Sequence, residues 1–198
     1  LKDYCDKMHY TFKVPLEEIF DFSVLEYSFA FWQWGYDIDK IPSSSASSEQ
    51  LFKYWMNISD PNYFSTQNIH ISFNVQAAKE LGYYGYCTKP FRKYLSIDTS
   101  KGYLKRLMLP ADAEDTAFSP DLYKHTLAYL KQNDPKMIYI YGDIDPWSAS
   151  GIYGLPFTKH KQNLQVYMLP GGSHRTRIMS FPESTREEII RQIEDWLK

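Results

Sequence analysis

The chain has 198 residues, is 43% hydrophobic and 23% charged, and carries a formal net charge of -2. That balance excludes the basic footprint of a nucleic-acid binder and the apolar-poor composition of a disordered segment. No apolar run has the length of a membrane span, and none reads as a signal peptide. Aromatic residues make up 17%, which favours wide aromatic-lined contacts or clefts. The length suits one domain, or one and a piece of another.

Along the chain, "PLEEIFDFSVLEYSFAFWQWG" (15–35) predicts a helix with Pro15 in its first turn and Gly35 at its C-terminal cap. It is apolar nearly all round, so burial on more than one side is expected. "PSSSASS" (42–48) is a low-complexity loop leading into a second helix over 48–59, with Ser48 as the expected cap. "TQNIHISFNVQAAKELGYYGY" (66–86) predicts a third helix that breaks at Gly82. No alternating strand pattern occurs in this half, so residues 1–115 are expected to form a mainly helical cap region.

The remainder, 116–198, is organised differently. A helix is expected over 119–134, with Ser119 capping it and Leu122, Leu127 and Leu130 forming its apolar stripe. "KMIYIYG" (136–142) and "NLQVYMLPGG" (163–172) read as buried parallel strands, each stopped by glycine. "PESTREEIIRQIEDWLK" (182–198) predicts a closing helix with Ile189, Ile190, Ile193, Trp196 and Leu197 along one side. Helix, strand, loop, strand, helix is the end of an α/β sheet. Two strands are too few for an independently stable sheet, and the chain begins at Leu1 rather than Met. The expected fold class is therefore α/β, with the chain a C-terminal portion of a longer polypeptide. Cys5 and Cys87 can form one bridge or remain free thiols, and their spacing is unlike a zinc site.

Open α/β sheets place their chemistry beyond the carboxyl ends of the strands. Asp145 in "YGDIDPWSAS" follows the first strand, and His174 in "PGGSHRTRI" follows the second. In a hydrolase triad a buried carboxylate orients an imidazole through Nδ1–H and stabilises the imidazolium formed when Nε2 accepts the nucleophile's proton. The order Asp then His after late strands fits that arrangement. Taken singly, each residue has a plainer reading. Aspartate and Asp-Pro after a strand commonly make turns, and a lone histidine is more often structural. Asp143 is the rival acid, and Asp143 with Asp145 can instead be read as a metal-holding pair. No third acidic ligand or phosphate-cradling glycine loop accompanies them.

The nucleophile is missing. No G-x-S-x-G occurs, Ser173 is the immediate neighbour of His174, and the serines of 43–48 lie in a loop. Cys87 is a weaker thiol candidate.

The stretches "YGDIDPWS", "GGSHRTRI" and "QAAKELGYYGY" (76–86) together resemble secreted bacterial proline-specific tripeptidyl aminopeptidases. These are serine peptidases with an α/β-hydrolase core, and the first two stretches also resemble the wider group containing prolyl carboxypeptidase and dipeptidyl peptidase. The resemblance implies that Asp145 is the triad acid and His174 the base. It also implies that Trp147 borders the active site and that Glu80, Tyr83 and Tyr84 come from a helical cap that binds a peptide's free N-terminus. It further implies that residues 116–198 are the last strands and closing helix of the α/β-hydrolase core. The serine, the oxyanion-hole donors and most of the sheet would then lie upstream of Leu1. The expected partners are a peptide substrate and that upstream polypeptide, with no cofactor, and the expected location is secreted, periplasmic or cell-surface. Two other readings stand beside this one: another α/β-hydrolase such as an esterase or lipase, and a non-catalytic module whose aromatic face holds a peptide or glycan. The second requires Asp145 and His174 to lie beyond hydrogen-bonding range.

Overall fold

A computed structural model describes residues 1–198. The chain forms two compact units, one made of Leu1–Ser28 and Ile41–His125, the other of Phe29–Lys40 and Thr126–Lys198.

The first unit is helical. It contains α1 (Lys2–Lys7), most of α2 (Leu16–Trp34), α3 (Ser48–Ile58) and α4 (Ile71–Gln76). Ile19, Phe22 and Leu25 of α2 are buried, and so are Asp21, Ser23 and Glu26. Burial on several sides follows from the near-continuous apolar sequence. A buried carboxylate needs donors. Asp21 receives them from the Ser96 N–H at 2.6 Å, the Ser96 hydroxyl at 2.7 Å and the Ile97 N–H at 3.2 Å. Rings of Phe22, Phe64, Tyr86 and Tyr103 pack against one another at centroid distances of 4.8–6.4 Å.

Two local expectations are corrected in this unit. The cap of α3 is Ser47, not Ser48: the Ser47 hydroxyl accepts the Gln50 N–H while the Gln50 side chain accepts the Ser47 N–H. This reciprocal pairing satisfies two end donors at once, and only the residue outside the first turn can make it. The helix expected over 66–86 begins only at Ile71, because Asn68 turns the chain by accepting the His70 N–H at 2.7 Å. It then widens into a π turn, Ala77–Leu81, and ends at Gly82 with φ 81°. Cys5 and Cys87 are both free thiols, the first buried and the second exposed.

The second unit contains the end of α2, most of α5 (Asp121–Gln132), β1 (Met137–Gly142), β2 (Leu164–Leu169) and α6 (Glu183–Leu197). The strands are parallel and in register, Met137 opposite Leu164 and Gly142 opposite Leu169, so both carboxyl ends finish level. This is a small, partial α/β arrangement. Asp134 fixes the start of β2: its carboxylate accepts the backbone N–H groups of Gln162, Asn163 and Leu164 at 2.9–3.1 Å. Leu130, Leu164 and Ile189 are buried. The expected apolar stripes are only partly covered, since Leu122 on α5 and Ile190 and Leu197 on α6 are exposed. No helix is long and apolar enough to cross a membrane.

Candidate active site

β1 stops at Gly142 because the backbone there must pass very close to its neighbour. A Cβ at Gly142 would overlap the Gly172 carbonyl. That closeness allows the Asp143 N–H to reach the Leu169 carbonyl at 3.2 Å and the Ile144 N–H to reach the Gly172 carbonyl at 3.1 Å. The two strand-end loops are thus laced together by main-chain hydrogen bonds, which carry geometry more reliably than surface side chains.

Two aspartates leave β1, and the backbone separates their roles. Asp143 accepts the Gly171 N–H at 2.6 Å, so its carboxylate is committed to the turn after β2. Asp145 caps the short 3₁₀ helix Pro146–Ser150, its Oδ1 accepting the Trp147 N–H at 3.1 Å. Pro146 suits the first position of that turn, where no N–H is needed. The Ser148 hydroxyl closes the loop onto the Gly142 carbonyl at 2.7 Å. With Oδ1 fixed as a cap, Oδ2 has a set direction.

His174 arrives from the other strand. After Leu169 the chain turns through Gly171, at φ 68°, and Gly172, whose N–H returns to the Leu169 carbonyl at 3.0 Å. Thr176 ties the next turn with its N–H at 2.9 Å and its hydroxyl at 2.7 Å, both on the Ser173 carbonyl. The Arg177 guanidinium donates to the His174 carbonyl at 2.9 Å. The result places His174 Nδ1 2.7 Å from Asp145 Oδ2. The Asp145 side chain is 8% exposed and the His174 side chain 45%. A buried carboxylate thus holds one nitrogen of an accessible imidazole, and Nε2 lies on the opposite edge of the ring. Such a pair can orient a histidine and stabilise its charged form while Nε2 exchanges a proton with a third group.

The other sequence-selected residues fall into both units. Trp147, half-buried, shares the Asp145 loop. Glu80 lies in the π turn of the first unit, half-buried, and accepts a hydrogen bond from Gln76 Nε2 at 3.1 Å. The Tyr83 and Tyr84 rings lie 4.6 Å apart with planes at 32°, and their hydroxyls enter a cluster that the sequence does not disclose. Tyr84 donates to Glu26 Oε2 at 2.8 Å and Tyr86 donates to the same oxygen at 2.6 Å. The Tyr63 hydroxyl hydrogen-bonds to the hydroxyls of Tyr83 and Tyr84. Burial pushes the Glu26 carboxyl up to about 7, although the two tyrosine donors pull it down. Burial also raises Tyr63, Tyr83, Tyr84 and Tyr86 above the ordinary tyrosine range. The one available signal for Glu26 is a lone acid within "FSVLEYSFAFW". No group of three or more His, Cys, Asp or Glu side chains is arranged to hold a metal ion.

No protein-family model matches the chain, and no solved structure does. Among curated proteins, it is similar to the prolyl tri/tetrapeptidyl aminopeptidase of Streptomyces mobaraensis, with 25% identity over 199 residues, covering 94% of this chain and 39% of the relative. The chain thus spans well under half the length of that protein. At this identity, the likeness supports a relation to a peptidase family and nothing finer.

Proposed function

We propose that the chain is the C-terminal part of a secreted, proline-specific serine exopeptidase that releases proline-terminated tripeptides or similar short peptides from N-termini. In this reading, residues 1–115 are a helical cap and residues 116–198 are the last strands and closing helix of an α/β-hydrolase core. The nucleophilic serine belongs to polypeptide preceding Leu1. It attacks the scissile carbonyl, His174 Nε2 takes its proton and passes it to the leaving amine, and Asp145 holds His174 through Nδ1. Trp147, Glu80, Tyr83 and Tyr84 are given peptide-binding roles.

The observation that carries this reading is the 2.7 Å separation of His174 Nδ1 and Asp145 Oδ2. One further support accompanies it: the similar Streptomyces protein is named a prolyl tri/tetrapeptidyl aminopeptidase. The same separation argues against a non-catalytic module, which has no need of a buried acid on an accessible imidazole.

An assay on an Xaa-Xaa-Pro reporter tests the proposal, using the 198-residue chain and the longer polypeptide in parallel. Turnover is expected only from the longer one, because triad members act as a unit. Turnover by the shorter chain alone would refute the placement of the serine, and cleavage of short acyl esters but not of proline peptides would favour an esterase.

A further inference from the structure

His174 is held from a second side by the end of α2, a segment that the triad reading does not use. The sequence "FWQWGY" (31–36) closes the helix in a double turn. Gly35 adopts φ 68°, its N–H returns to the Trp32 carbonyl, and the Tyr36 N–H returns to the Phe31 carbonyl, both at 3.1 Å. The Phe31 and Tyr36 rings meet at 6.0 Å across this cap. These are the marks of a Schellman ending, which uses two of the helix's final carbonyls and leaves the others open. The next one, on Gln33, accepts the His174 N–H at 2.8 Å.

The side chains follow the same plan. Trp34 meets the His174 imidazole edge to face, with centroids 5.7 Å apart and planes at 83°. The Arg175 guanidinium lies 5.7 Å from the Trp34 ring centroid, a cation against an aromatic surface. Gly35 fits directly against Ser173, where an added Cβ would come within 2.9 Å of the Ser173 Cβ. Trp34 is 40% exposed, and its ring contacts fall on His174 and Arg175 of the loop after β2.

We propose that Trp34, set by the Gln33–Gly35 helix ending, is a positioning residue that fixes the orientation of the His174 imidazole toward Asp145. The carboxylate alone leaves the ring free to swing about its Nδ1 contact. The Gln33 carbonyl fixes the backbone, and the Trp34 ring limits the swing. This inference rests on the proposed acid–base role of the pair, and its test separates the two.

The experiment is NMR of the longer polypeptide with labelled histidine, following the downfield proton on His174 Nδ1 and the nitrogen shifts that report its tautomer. His174→Gln assigns the signal. Trp34→Leu is expected to split or broaden that resonance to loss, Trp34→Phe to restore it, and Arg175→Ala to weaken it without altering the helix. Arg175→Ala also serves if Trp34→Leu fails to fold. If Asp145→Asn removes the resonance while Trp34→Leu and Arg175→Ala leave it unchanged, the positioning role is wrong and the pair stands. If the unmodified polypeptide shows no hydrogen-bonded Nδ1 proton and Asp145→Asn changes nothing, both the pair and this inference fall.

Discussion

Both units of the chain bury carboxylates, and Glu26 in the first and Asp145 in the second are provided for in different ways. Glu26 sits among tyrosines, receives neutral hydroxyl donors from Tyr84 and Tyr86, and is held up to about 7 by desolvation. Asp145 is almost as buried, but its donors are a backbone N–H and a ring that can itself carry charge. A neutral cage suits a group that stays protonated near neutrality. An ionisable partner with one open edge suits proton traffic. Burial alone therefore does not mark a working acid; the charge state available to its partner does.

The sharpest way to break this contrast is Asp145→Asn in the longer polypeptide. By analogy with triad enzymes, kcat on a proline-peptide reporter should fall by a factor on the order of 10⁴, since the amide stabilises the wrong imidazole tautomer. Asp143→Asn should cost less than about tenfold, because Asp143 serves the Gly171 turn. The reverse pattern would give the acid's role to Asp143.

The second prediction concerns Glu26 and pH. Its carboxyl is raised from an ordinary 4.5 to about 7 in the folded chain. Between those values the unfolded chain releases the proton while the folded chain keeps it. Stability contributed at Glu26 is thus intact below about 4.5 and lost as pH rises through about 7. The loss is on the order of 3 kcal/mol across that window. Urea midpoints measured through it should fall for the unmodified chain and stay flatter for Glu26→Gln. Equal slopes would show that burial does not hold the Glu26 proton as described.

Gly142→Ala should destabilise the chain by about 2–3 kcal/mol in urea denaturation, because a methyl group has no room beside the Gly172 carbonyl. A change within about 0.5 kcal/mol would mean that the two strand-end loops are not held as described. The smallest expected effect is Ser47→Ala, at about 1 kcal/mol, from loss of the reciprocal cap on α3. Ser48→Ala should cost less, and the opposite ranking would reassign the cap.

The difference between the units also explains what the sequence reveals. β1, β2 and the residues after them are legible because each step is local: an apolar β-rich run, a glycine stop, then a polar residue at the strand end. That pattern singles out Asp145 and His174 but leaves Asp143 as a rival, because two residues of separation look alike until the Gly171 N–H takes one of them. The Glu26 cage is not legible, since Tyr84 and Tyr86 reach it from 58 and 60 residues away. The hold of Gln33 and Trp34 on His174 is hidden for the same reason. Gly35 is readable as a helix cap, but nothing local says which loop the open carbonyl will serve. Periodicity likewise finds the stripes on α5 and α6, yet it does not say which members are covered, and Leu197 is 82% exposed.

The central claim is that His174, held by Asp145, activates a serine carried by preceding polypeptide. Labelling the longer polypeptide with an organophosphonate serine probe, then mapping the modified residue by mass spectrometry, tests it most directly. The account predicts one labelled serine outside residues 1–198, with labelling abolished by His174→Gln. A label within these residues, or one that persists undiminished in His174→Gln, would contradict it.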